Sequence, residues 1–139
     1  MVKPVEGAGA VASGTPLRHG DKFRLMHAAT RTWLHSHRFQ SPLSGQQEVS
    51  AHGGDEASDE NDEWMLVLDS KAQWSQDAKV RVQHVKTKAY LSMTNRRFGR
   101  PISGQLEVAG LRAHSTDSTW KATEGVYVPL AESGDRDEL

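Results

Sequence analysis

Apolar positions in this chain recur with a period of two, in short runs. Phe23, Leu25 and His27 fall on one side of a run while Arg24 and Met26 fall on the other. Trp33, His35 and His37 alternate with Leu34 and Ser36 in the same manner. Strict alternation over a few residues is the pattern of a half-buried β-strand. Pro42 and Ser44-Gly45 predict a turn before a third run, Gln46 to Ser50. A fourth run, Trp64 to Leu68, follows an acidic loop. The order then repeats as Lys79 to His84, Tyr90 to Thr94, Gln105 to Ala109 and Trp120 to Ala122. Residues 125–130 predict a terminal strand that Pro129 helps to end. No segment carries apolar residues at helical spacing over ten or more positions, so the fold class is all-β.

The repetition is also literal. Pro42-Leu43-Ser44-Gly45-Gln46-Gln47-Glu48-Val49 returns as Pro101-Ile102-Ser103-Gly104-Gln105-Leu106-Glu107-Val108, identical at six of eight positions. Phe23 to His27 aligns with Val80 to His84, Thr30 with Thr87, and Trp33-Leu34 with Tyr90-Leu91, all at an offset of 57. The offset becomes 59 at Gly45 and Gly104, then 56 at Trp64 and Trp120. Shared blocks with variable spacers describe strands joined by surface loops. The chain holds two copies of one unit of four strands.

At 139 residues, 36% apolar and a mean hydropathy of -0.65, the chain is sized for one domain with a lean core. A net charge of -1 and a pI near 6.6 give no electrostatic reason to expect nucleic acid or an anionic membrane as partner. No run approaches the roughly 18 apolar residues of a membrane helix, so no membrane insertion is expected. Without cysteine there are no disulfides, thiolate zinc sites or cysteine nucleophiles. Met1 to Glu6 has no apolar core of a secretory signal. The last four residues, Arg136-Asp137-Glu138-Leu139, are nevertheless a close variant of the endoplasmic-reticulum retrieval address. A luminal address without a leader implies that an N-terminal part of the protein precedes Met1.

Candidate chemistry is sparse. His35 and His37 share one strand face beside Trp33, but two imidazoles do not complete a zinc site, and Ser92 and Thr94 replace them in the second copy. No metal is expected, and the imidazoles are read as hydrogen-bonded structural groups. His27 and His84 recur at an inward-looking position and are expected to be satisfied core histidines. The Ser-Gly-Gln-x-Glu-Val block reads as a turn that needs glycine's positive φ. Trp33, His35, His37 and Gln46 are the best candidate surface for sugar or peptide. Residues 55–63 carry six acids in nine positions without the order of a calcium loop, and are expected to form a solvated, self-repelling loop. No nucleophile elbow and no telling carboxylate pair is present, so no catalytic residue and no cofactor is assigned.

The string His27-x2-Thr30-x2-Trp33-Leu34-His35-Ser36-His37, followed by Ser-Gly-Gln-x-Glu-Val and a strand-opening Trp64, resembles the MIR repeat. That repeat is shared by protein O-mannosyltransferases, inositol trisphosphate and ryanodine receptors, and the stromal-cell-derived factor 2 family. The last family fits best, because it joins MIR repeats to a luminal address, and Glu124 to Leu130 is close to the ending of its plant members. The resemblance covers about residues 17–130. It implies a β-trefoil of three units, of which this chain holds two, at 17–70 and 71–130. Residues 1–16 would then be a linker and the remnant of a first unit, and 131–139 a flexible tail with the retrieval signal. It further implies a non-enzymatic luminal protein that assists folding and takes part in the unfolded-protein response. Its partners would be a J-domain co-chaperone, a heat-shock-70-class chaperone, unfolded clients and the retrieval receptor. The alternative is a lectin-like or O-mannosylation-accessory module that binds glycan or glycoprotein.

Overall fold

The structure is a computed structural model, and it describes residues 2–4, 15–55, 58–69 and 73–123. Eight strands are formed among these residues: β1 Val2–Pro4, β2 Lys22–His27, β3 Thr32–Gln40, β4 Gln47–His52, β5 Trp64–Val67, β6 Arg81–His84, β7 Tyr90–Phe98 and β8 Gln105–Leu111. All pairings are antiparallel, and the order β2-β3-β4-β8-β7-β6-β5 closes through β5 pairing back on β2. Closure leaves this ring without free edges. The all-β expectation holds, as a closed barrel-like sheet. Among the described residues no helix is long and apolar enough to cross a membrane.

The two copies fold alike. β2, β3 and β4 correspond to β6, β7 and β8, and the bridge between Val80 and Trp120 matches the pairing of Phe23 with Trp64. Irregular register interrupts β3 against β4 after Ser36, and β7 against β8 after Met93, at equivalent places. Gly45 and Gly104 both sit in the left-handed region, at φ 77° and 82°, as the octapeptide predicts. Trp64 Nε1 donates to the Leu34 carbonyl at 3.0 Å and Trp120 Nε1 to that of Leu91 at 2.8 Å. The ring encloses Phe23, Trp64, Leu66, Leu68, Val80, Val82 and Leu91, drawn from both copies.

The alternation in β2 fails. Phe23 is buried, but Met26 is buried instead of Leu25 and His27 is exposed. β2 changes partner along its length, from β5 at Lys22 and Phe23 to β3 at Met26 and His27. A strand that passes between partners does not keep one face inward. β6 holds the pattern, with Val82 and His84 buried.

The acidic loop is also different from its expectation. Asp55 pairs with Arg31 at 2.6 Å, Glu60 with Lys86 at 2.6 Å and Glu63 with Arg24 at 3.0 Å. Glu60–Asp62 forms a single 3-10 turn closed by a reciprocal cap between Asp59 and Asp62. Asp62 is fully buried. Cations from three other segments of the chain, together with the capped turn, offset the self-repulsion that composition alone suggests.

Candidate functional site

The highest concentration of polar chemistry lies where β3 meets the first 3-10 turn. Asp62 Oδ1 meets His35 Nδ1 in a buried hydrogen bond of 2.7 Å. Its Oδ2 accepts from Ser58 Oγ at 3.0 Å and from the Asp59 amide at 2.9 Å. The His35 ring packs on His52 with centroids 4.6 Å apart, and on His37 at 5.1 Å. His37 in turn meets the edge of Phe39 at 4.3 Å, and its Nε2 lies 3.5 Å from Glu48 Oε1. A ladder of imidazoles therefore runs from the buried Asp62 carboxylate outward to Phe39, which is 67% exposed.

Its chemistry is that of a structural clamp. In the second copy Ser92 and Ser118 stand in the places of His35 and Asp62, and their hydroxyls meet at 2.7 Å. Thr116–Ser118 forms the same capped 3-10 turn. The imidazole–carboxyl pair and the hydroxyl pair do the same work of tying a turn to the second strand of the copy. The order Ser58–Asp62–His35 puts the carboxylate between hydroxyl and imidazole, so the ring cannot act as base toward that serine. His35, Asp59 and Asp62 each offer a ligand atom within 4.8 Å of the others. Those carboxylate oxygens already cap the turn, Asp59 Oδ1 by accepting from the Asn61 amide at 2.8 Å.

The four residues read from sequence as a candidate surface do not share one. Trp33 and His35 are buried, and Trp33 Nε1 donates to the Gly54 carbonyl at 2.8 Å. Gln46 is exposed in the turn that closes the β3–β4 hairpin, whereas Trp33 pairs with His52 at the hairpin's open end. With about 3.3 Å per residue along a strand, roughly 20 Å separates them. Only His35 and His37 come together as the alternation predicts. His52, Phe39 and Asp62 were not singled out. His52 reaches His35 through strand register, which spacing does not reveal. Asp62 carried a signal, since Asp59-x-x-Asp62 and Ser115-x-x-Ser118 have the spacing of a reciprocal cap. Arg136, Asp137, Glu138 and Leu139 lie outside the described residues, as do Glu124 to Leu130.

At the seam between the copies, His84 is fully buried. Its Nε2 donates to the Asn61 carbonyl at 2.8 Å, and its Nδ1 faces Thr87 Oγ1 at 2.8 Å. Burial lowers its pKa from the usual histidine value. The Asn61 bond pulls the other way and nearby His35 adds to the depression. Glu107, also buried, accepts from Thr94 Oγ1 at 2.6 Å and from Ser41 Oγ in the turn of the first copy. Burial alone would raise its pKa. The hydroxyls of Ser41, Ser44 and Thr94 and the Ser44 amide reverse this and hold it below the ordinary carboxylate value. The histidine is thus kept neutral and the glutamate charged.

The MIR domain family matches residues 2–120. A stromal cell-derived factor 2-like protein of Arabidopsis thaliana is 44% identical over 96% of this chain and 61% of its own length. Human stromal cell-derived factor 2 is 46% identical over 86% of this chain and 56% of its own length. The chain thus spans less than two thirds of the relatives it matches. The crystal structure of the Arabidopsis thaliana protein superposes with a TM-score of 0.84 at 44% identity, covering 95% of this chain and 73% of that one. The protein O-mannosyltransferase complex of S. cerevisiae bound to its sugar donor matches with a TM-score of 0.75 at 28% identity, over 88% of this chain and 19% of that one. A chain with these repeats, this closed sheet and these relatives belongs to the MIR-domain proteins, in the stromal cell-derived factor 2 family.

Proposed function

We propose that this protein is a non-enzymatic folding factor of the endoplasmic-reticulum lumen, working in complex with a J-domain co-chaperone and a heat-shock-70-class chaperone. The observation that carries this reading is family membership over nearly the whole chain. The Arg136-Asp137-Glu138-Leu139 ending supplies the address. We read the closed sheet as two sectors of a β-trefoil, a stiff platform on which partners dock and clients are held soluble without nucleotide. Expressed behind a secretory leader, the tagged chain should co-purify with a luminal J-domain protein. It should also be lost to the medium when residues 136–139 are removed. Co-purification without any J-domain protein ends the complex, and retention without the tetrapeptide ends the address.

A second reading, glycan binding, is favoured by the exposed Phe39 beside His37 and by the likeness to the O-mannosyltransferase complex. An exposed aromatic next to an imidazole suits the apolar face and hydroxyls of a sugar. Titration with mannose and a mannosylated peptide should then give saturable binding that Phe39→Ala removes. Trp33→Ala, at a buried site, should instead lower stability.

A further inference from the structure

The three large apolar side chains that stand exposed among the described residues are Phe39, Ile102 and Leu106. All lie on the two hairpin tips, β3–β4 and β7–β8. These tips are neighbours, joined by the Ser41–Glu107 hydrogen bond. From Asn95 to Leu106 the sequence carries three arginines and no acid, and Arg38 to Gln47 carries one arginine and no acid. Arg96, Arg97 and Arg100 are exposed. Among the described residues none of them has a carboxylate within ion-pair distance, although Arg24, Arg31, Arg81 and Lys86 each have one. Arg97 is held in place by its Nη1 donating to the Gly104 carbonyl at 2.8 Å. Of the acids near the tips, Glu107 faces inward and is occupied by Ser41 and Thr94, Asp117 accepts from Asn95 Nδ2 at 3.2 Å, and Glu48 faces His37 Nε2 at 3.5 Å. The acidic residues Asp55, Asp59, Glu60 and Asp62 belong to the other end of the β3–β4 hairpin, where Arg31 pairs with Asp55 and His35 with Asp62. Charge is therefore segregated along the molecule, and the basic end is also the apolar end.

We infer that the tip of the β7–β8 hairpin, with Phe39 beside it, is a docking surface for an acidic polypeptide segment that carries large apolar side chains. Charge complementarity selects the acid. Arginine interspersed with apolar residues is the composition of a protein interface, and a dispersed guanidinium layer steers an anionic partner into register. A nucleic acid fits less well, because the chain is net acidic at -1 and the exposed apolar groups on the arginine hairpin, Ile102 and Leu106, are aliphatic and offer no face for a base. The second copy is where this surface is built. Its hairpin is two residues longer than that of the first, and the alignment sets Arg96 and Arg97 against Phe39 and Gln40. The inference goes beyond the folding-factor reading and stands whichever protein supplies the segment.

The test is fluorescence anisotropy on the full chain with a labelled peptide of repeated Glu-Asp-Leu. Saturable binding is expected, weakening about tenfold or more when Arg96, Arg97 and Arg100 are all changed to Glu, and staying within about threefold when all are changed to Lys. Ile102→Ser, which leaves the charge intact, should weaken it by several-fold at unchanged melting temperature. That variant keeps the test decisive if the triple glutamate chain misfolds. Equal binding of a peptide of Glu and Asp without Leu, equal binding of a single-stranded oligonucleotide, or no effect of Ile102→Ser would overturn the inference.

Discussion

His27 and His84 occupy the same place in the two copies, at the end of the first strand. Each faces a threonine hydroxyl three residues on through Nδ1 at 2.8 Å. Yet His84 is fully buried and His27 is exposed. The same contrast holds at two further pairs. Glu107 is buried, whereas the side chain of its twin Glu48 is 37% exposed. At Gly110 an added Cβ would lie 3.0 Å from that of Ala89 and 3.3 Å from that of Gln47, while its counterpart Ala51 is exposed. In every pair the buried member lies in the second copy, under parts of the first: the 3-10 turn, the start of β4 and the turn at Ser41 to Ser44. At these three positions copy one covers copy two, whereas at the tryptophans β6 of copy two covers copy one. Burial here is decided by what docks on a strand, not by the strand's own pattern.

The largest test of this contrast uses the tryptophans. Trp64 is fully buried, because β6 closes over it and the His84 ring meets it at 4.8 Å. Trp120 has the same Nε1 bond but is only half-buried. Trp64→Ala should cost about 3–5 kcal/mol, the range for truncating a buried aromatic, and Trp120→Ala clearly less. Equal losses in denaturant unfolding would mean that the seam gives Trp64 no extra burial.

Next come the clamps. Asp62→Ala removes a buried carboxylate that three donors share, and should cost roughly 3 kcal/mol. Ser118→Ala breaks a neutral hydroxyl pair and a cap, worth about 1 kcal/mol. Thermal melts of the two variants rank them directly. A Ser118→Ala loss as large as that of Asp62→Ala would remove the distinction between the two clamps.

How much of this was legible in the sequence follows from the same asymmetry. The octapeptide fixed both glycine turns, and alternation found β5 and β6, because a strand with steady partners buries every second residue. Alternation failed in β2, which changes partner between Phe23 and Met26, and it gave His27 and His84 one environment, since identical residues have identical local patterns. The candidate surface failed for a related reason. Trp33 and Gln46 are 13 positions apart in sequence but sit at opposite ends of one hairpin, while His35 and His52 meet through register. Asp62 was masked by the five acids around it.

The histidine pair carries a pH signature. His84 is held neutral in the folded chain, with a pKa below that of the unfolded chain. As pH falls through the ordinary histidine value the unfolded chain takes up a proton that the folded chain refuses. Stability is then lost toward acid, by at most about 1.4 kcal/mol per pH unit. His84→Gln should flatten this part of the pH–stability profile, and at neutral pH it should cost more stability than His27→Gln, at an exposed position. A larger neutral-pH loss for His27→Gln would reverse the assignment of the covered face.

The smallest expected effect concerns Glu107 and Glu48. Glu107 has its pKa lowered in the folded state, so its contribution is full above the unfolded carboxylate value and is lost as pH falls through the folded one. Glu107→Gln keeps the shape but replaces one acceptor oxygen by a donor facing hydroxyls from Ser41 or Thr94, at a cost of about 1 kcal/mol at neutral pH. It should also remove a component of the acid transition below the histidine range. Glu48, which faces His37 Nε2 at 3.5 Å, has a side chain 37% exposed, so Glu48→Gln should cost clearly less stability at neutral pH. If both variants cost the same at neutral pH, the Ser41 turn does not close over copy two. The pairing of β4 with β8 would then have to hold the seam without it.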